Sequence, residues 1–179
     1  MKKFVAIIAF IVAGPLFAQN ANRFEFEVDP IAFALKGYSV HGIYVHEKLR
    51  FDLGVFGIEQ PESFTGNKGF DTYSTGYGLK VNYLLNESET WFAGVGVGYL
   101  NNEITFRETN QVQDDKVIGV GLHTGYRFFF FNNALQNLYF APWVSFDYNF
   151  HLNDIEFSAA EYKKSGFSIF PTIHVGYRF

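Results

Sequence analysis

Leu138-Tyr139-Phe140-Ala141-Pro142-Trp143-Val144-Ser145-Phe146-Asp147-Tyr148-Asn149-Phe150-His151 alternates along its whole length. Leu138, Phe140, Pro142, Val144, Phe146, Tyr148 and Phe150 fall on one side. Tyr139, Ala141, Trp143, Ser145, Asp147, Asn149 and His151 fall on the other. A period of two marks a β-strand, because successive side chains leave opposite faces. The stretch is also long enough to cross a hydrocarbon layer, which takes about 9–11 tilted strand residues.

The same pattern recurs on both sides of it. Toward the amino terminus, Ile118 to Phe128 sets Ile118, Val120, Leu122, Thr124, Tyr126 and Phe128 against Gly119, Gly121, His123, Gly125 and Arg127. A strand from Thr90 opposes Trp91, Ala93, Val95, Val97 and Tyr99 to Phe92, Gly94, Gly96 and Gly98. Thr72–Leu85 and Leu49–Gly57 alternate likewise, Tyr38–His46 only weakly. The first strand is read over Arg23–Leu35, with a bulge at Asp29-Pro30 where the phase slips. The last, Phe167–Phe179, runs to the end of the chain. Polar stretches near 58–71, 108–115 and 153–165 read as loops, and Asn86–Glu89 and Phe131–Asn137 as short links. Lys36-Gly37 reads as a tight turn, out of step with the otherwise alternating short and long connections. The fold expected is all-β: a closed antiparallel up-and-down transmembrane barrel of eight strands.

Composition narrows the class further. Met1-Lys2-Lys3, the apolar run Phe4–Ala13, the break at Gly14-Pro15 and Ala18 form a secretory signal, expected over residues 1–18. Residues 19–179 are then a single barrel domain, long enough for eight strands and too short for a sixteen-stranded porin. There is no cysteine, so lipoprotein anchors, disulfides and thiolate metal sites are excluded. A dispersed net charge of −4 offers no nucleic-acid surface. With 23 Phe and 11 Tyr, the chain has more large rings than a soluble domain needs.

Alternation alone does not say which face looks out. A lipocalin-like soluble barrel in the periplasm would put the apolar face inside. That interior would have to hold the Tyr, Phe and Trp of six strands, too much volume for eight strands to enclose. The opposite faces carry Gly, Ser, Thr and a few charges, which suit a narrow polar interior. The apolar band therefore faces lipid.

The carboxyl-terminal alternation Val175, Tyr177, Phe179 resembles the signal by which the barrel-assembly machinery recognises its clients. Together with the signal peptide and strand pattern, it makes the chain similar to small outer-membrane barrels of the OmpA, OmpX and OmpW type. That resemblance implies the outer membrane of a Gram-negative bacterium, with membrane lipid and lipopolysaccharide as surroundings. It also implies a structural, binding or small-molecule passage role. Some barrels of this kind modify lipid A, as acyltransferases or deacylases. The deacylase type carries His-x-Ser on one strand face, and none of His41, His46, His123, His151 or His174 has serine two places on.

The inward face is expected to carry a polar network of Glu25, Glu27, Arg50, Asp52, Lys80, Arg127, His174 and Arg178, joined by His123, Asp147 and His151. Buried charges must be paired, so Arg178 is expected near Glu25 or Glu27 when the last strand meets the first. A turn near Asn133-Ala134 would set His123 opposite Ser145 with Asp147 diagonal, a nucleophile–base–carboxylate arrangement to test. The histidines are too scattered for a metal motif, and no cofactor, metal or catalysis is expected. Phe64, Phe70, Phe157 and Tyr162 read as rim residues of an aromatic girdle.

Overall fold

The computed structural model describes residues 22–130 and 135–179. The signal segment 1–18 lies outside them, as do residues 131–134 of the Phe131–Asn137 link. The elements are β1 (Asn22–Val28), α1 (Pro30–Ala34), β2 (Tyr38–His46), β3 (Leu49–Gln60), α2 (Glu62–Thr65), β4 (Phe70–Leu84), β5 (Trp91–Phe106), β6 (Gln111–Tyr126), β7 (Leu138–His151) and β8 (Phe167–Arg178). Each strand pairs antiparallel with its sequence neighbours. β8 returns to β1 through Glu25↔Arg178, Phe26↔Tyr177, Glu27↔Gly176 and Val28↔Val175. Eight strands thus close in a ring.

The two faces sort as the alternation requires. Leu53 and Leu122 are 61% and 63% exposed, and Phe51, Tyr77, Val97, Val120, Tyr148 and Ile169 point outward with them. Glu25, Glu27, Arg50, Asp52, His123 and His174 are buried. The apolar face is the outer one, so the lipocalin-like arrangement is not this chain's. Inward glycines make room for the large polar side chains opposite. A Cβ at Gly121 would lie 2.0 Å from Asp147, and one at Gly176 would lie 2.3 Å from the Tyr139 ring.

Five sequence expectations need correction. β1 stops at Val28, and Pro30–Ala34 is a helix instead of a continued strand. Asp29 Oδ1 accepts from Ile31 N at 2.7 Å, and proline is favoured in a first helical turn, so Asp-Pro starts a helix here. The expected tight turn at Lys36-Gly37 is accordingly the end of a longer connection over 29–37. The polar loop expected over 108–115 is mostly ladder. β6 begins at Gln111, and only residues 107–110 connect it to β5. β3 likewise runs on to Gln60, three residues past the expected Gly57. Beyond the apolar belt a strand needs no apolar face, so hydrophobic alternation fades while the hydrogen bonds continue. Finally, Phe70, Phe157 and Tyr162 form a small core instead of a girdle, and only Phe64 of the four is exposed.

Two prolines fall where their missing N–H is tolerated. Phe128–Phe129 continues β6 in the same register, and the gap at Arg127 lies where Pro142 stands opposite Tyr126 and cannot donate. Pro171 lies in the part of β8, Phe167–His174, that pairs with β7 alone. Its nitrogen points to the unpaired side, as shown by the phase of Phe179 N, which donates to Phe24 O at 2.9 Å. There α1 takes the place of a strand. Asp29 Oδ2 accepts from Thr172 Oγ1 of β8 at 2.6 Å, so one carboxylate both caps α1 and ties it across the seam. A helix satisfies its own backbone, which makes it an acceptable patch in a wall that lipid surrounds.

Asp29→Ala should therefore destabilise the barrel by about 2 kcal/mol, the sum of a cap and one charged hydrogen bond. Thr172→Val should cost less, since it leaves the cap intact. Urea unfolding of the refolded chain in lipid vesicles measures both, and an unchanged Asp29→Ala midpoint would contradict this role.

Candidate functional site

β1, β3, β6 and β7 aim their largest polar side chains at one another near the rim that carries the short turns. Arg50, Arg127 and Tyr139 are the largest fully buried side chains of the described residues. Arg50 Nε donates to Glu25 Oε2 at 3.0 Å, and its Nη2 donates to Glu27 Oε1. Arg127 Nη1 donates to Glu25 Oε1 at 2.8 Å. Tyr139 OH lies 3.0 Å from Glu25 Oε2 and 2.8 Å from Glu27 Oε1. His174 Nδ1 meets the other Glu27 oxygen at 2.8 Å. Lys80 pairs with Asp52 at 3.0 Å and lies over the Trp143 ring, 4.4 Å from its centroid. Three cations (Arg50, Arg127, Lys80) thus balance three carboxylates (Glu25, Glu27, Asp52) in a space from which water is largely excluded.

Arg178 stands opposite Glu25 in the ladder, yet its side chain goes elsewhere. Its guanidinium lies 3.8 Å from Glu89 of the β4–β5 turn and over the Phe129 ring, while Arg127 takes Glu25. Glu89 also receives Arg23 through both oxygens, at 3.0 and 2.5 Å. Glu89, Arg23 and Tyr139 were missed from the sequence. Tyr139 was legible as an inward residue of β7, whereas a turn carboxylate gives no periodic signal.

His123 and Ser145 are opposite in the β6–β7 ladder, in the register expected. Their polar atoms diverge: His123 Nε2 meets Asn82 Oδ1 at 2.5 Å, and Ser145 Oγ donates to Asp147 Oδ2 at 2.5 Å. The order nucleophile–base–carboxylate is not made there. Asn82 Nδ2 and Trp143 Nε1 are buried without a partner and line a cavity of about 10 Å³, room for one water. A different histidine has the chain of contacts that His123 lacks. Ser39 Oγ lies 3.1 Å from His41 Nε2, and His41 Nδ1 lies 2.8 Å from Asp52 Oδ1.

The other mouth is covered as well. A polar relay crosses the inner wall from Gln60 to Ser74 (2.7 Å), Ser74 to Asn102 (2.5 Å), Asn102 to Asp115 (3.4 Å) and Asp115 to His151 (2.9 Å). Above it, the loop 152–166 leaves β7 and packs Ile155, Phe157, Ala160 and Tyr162 on Phe70, Ile104 and Phe106 of β4 and β5. Strands β8 and β4 are opposite in the ring, so this loop spans the mouth. Asn67 fixes it, exchanging hydrogen bonds of 3.1 and 2.9 Å with the Lys163 backbone. Burial of the Tyr162 ring raises its phenol above the usual value.

These features define a class: an eight-stranded transmembrane β-barrel whose lumen is filled by compensated charge and covered by a folded loop. No family model and no curated protein matches the sequence. Among solved structures, Neisserial surface protein A shares the fold with a TM-score of 0.55 at 10% identity, over 89% of this chain and 96% of that one.

Breaking a buried ion pair from one side leaves a charge stranded. Glu25→Ala should therefore cost about 3–5 kcal/mol, since it strips Arg127 of its buried carboxylate and leaves Arg50 to Glu27. Arg178→Ala, at a side chain 32% exposed, should cost about 1 kcal/mol or less. Equal losses in vesicle-refolded protein would contradict the assignment of the network to Glu25.

Proposed function

We propose that the chain is an integral outer-membrane barrel of a Gram-negative bacterium, with a structural or binding role at the cell surface. Passage of solutes through its lumen is not part of that role. The observation that carries this reading is double occlusion. Arg50, Arg127, Tyr139, Glu25 and Glu27 fill one end, and the 152–166 loop covers the other. An eight-stranded ring is only wide enough for its own side chains, so opening a path would mean unpairing buried charge. The structural neighbour is, by its name, a surface protein, which supports placing the longer connections outside the cell.

On this reading the signal segment directs export, and Val175, Tyr177 and Phe179 present the alternation that the barrel-assembly machinery takes up. Lipid and lipopolysaccharide then surround the apolar belt. His123, Ser145 and Asp147 serve as lumen hydrogen-bonding residues, with no part in lipid A chemistry.

Planar-bilayer recordings on the purified full chain test the central point. The account expects no discrete conductance steps above the lipid baseline, and reproducible steps would overturn it. Lipid A from cells expressing His123→Ala or Ser145→Ala should have the wild-type mass profile.

A further inference from the structure

His151 is the last residue of β7 and stands opposite Val117 of β6. Asp115 lies two residues before Val117, so it shares the inward face, where it is 1% exposed. His151 Nδ1 lies 3.0 and 2.9 Å from the two Asp115 oxygens, and its Nε2 lies 3.2 Å from the carbonyl oxygen of Ser165. Both neighbours are acceptors. An ionised carboxylate and a peptide carbonyl have no hydrogen to give, so each ring nitrogen must carry its own. Only the imidazolium does so, and a neutral imidazole is one donor short.

Ser165 belongs to the limb of the 152–166 loop that returns to β8. One ring therefore ties the end of β7 to the far end of the loop that β7 starts. Lys164, next on that limb, donates to Asn153 O at 2.6 Å and lies 3.9 Å from Asp115 and 3.8 Å from the exposed Asp154. β5 contributes the neutral Asn102, 3.4 Å from Asp115, and the charge of Asp115 reaches the phenol of Tyr162. The outgoing limb is held without a titrating group: Leu152 N donates to Lys116 O, and Lys116 N to Asn153 Oδ1, each at 2.8 Å. A change of charge on His151 thus falls on the returning limb.

We propose that His151 is a proton-operated latch on the loop that covers this mouth. The imidazolium bridges Asp115 and Ser165 and holds the loop down. Loss of one proton leaves the remaining hydrogen on Nδ1, facing the carboxylate, and turns the Nε2 lone pair toward the Ser165 oxygen. Two lone pairs at that distance repel, so the returning limb lets go. Asn67 and the ring packing on Phe70, Ile104 and Phe106 are then left to keep the loop in place. Closure and protonation of His151 favour each other. Over the range in which Asp115 stays ionised, the loop is latched in acid and loosens as pH rises through the titration of this imidazole. The ion cluster around Glu25 at the other mouth takes no part. Conductance therefore stays absent whichever way the latch stands, and the occlusion reading stands or falls on its own test.

The test uses the full chain refolded in vesicles. A nitroxide on Ala159→Cys, at an exposed position of the loop, reports loop mobility, and nitrogen NMR reports the protons on the His151 ring. Between about pH 5 and about pH 8 the ratio of mobile to immobile label should rise by about fivefold or more, the low end of coupling between linked sites. The rise should follow the loss of one His151 ring proton. His151→Gln should make the ratio independent of pH, while His46→Gln, exposed at the opposite rim, should respond like wild type. Each variant must keep its heat-modifiable gel mobility; if His151→Gln does not fold, the wild-type ring spectrum decides. A wild-type loop indifferent to pH, a response that survives in folded His151→Gln, or a neutral His151 ring at the acid end would each overturn the inference.

Discussion

A backbone amide in hydrocarbon has no water to bond with, and the whole structure follows from that constraint. A sheet can meet it only by closing, so β8 must find β1. Closure of a ring this small encloses a space that its own side chains fill. The sequence therefore puts its bulk outside, as Tyr, Phe and Leu against lipid, and its charge inside. The usual order of a globular protein is reversed: its largest fully buried side chains include two arginines, and leucines are among its most exposed. Where closure by strands fails, beside Phe167–His174, a helix stands in, and a single carboxylate, Asp29, holds it to β8.

The interior answers a second constraint, that charge in a dry space must be matched group by group. Glu25 lies between Arg50 and Arg127, and Glu27 between Arg50 and His174, with Tyr139 bridging the two carboxylates. Such a cluster adds little net stability over an apolar filling, but each member becomes costly to remove. That makes the turn-rim end of the barrel rigid. The loop-rim end is closed more loosely, by rings packed beneath a loop.

What the sequence made legible was whatever repeats with a period of two. β7 and its partner register, down to His123 opposite Ser145, could be read because the alternation there is uninterrupted. Four things escaped. Asp29-Pro30 offers the same local signal for a bulge and for a capped helix, and the tertiary tie to Thr172 accompanies the helix. The outer part of β6 lost its alternation above the belt, where polar residues still pair with β5. Ser39-x-His41 lay in β2, the strand with the weakest alternation. Ring packing beneath a loop, as at Phe70 and Tyr162, depends on contacts between residues far apart in sequence and has no local signature.

The central claim is that this chain turns its apolar face to lipid and its polar face to a filled interior. With no native cysteine, the chain permits single-site spin labelling along β7. Labels at 144 to 150, in vesicles, should show collision with oxygen that peaks at Val144, Phe146, Tyr148 and Phe150 and falls at Ser145, Asp147 and Asn149. Collision with a water-soluble nickel reagent should be low at every one of these positions. Oxygen maxima at the odd-numbered positions, or nickel access at Ser145 and Asp147, would contradict the account.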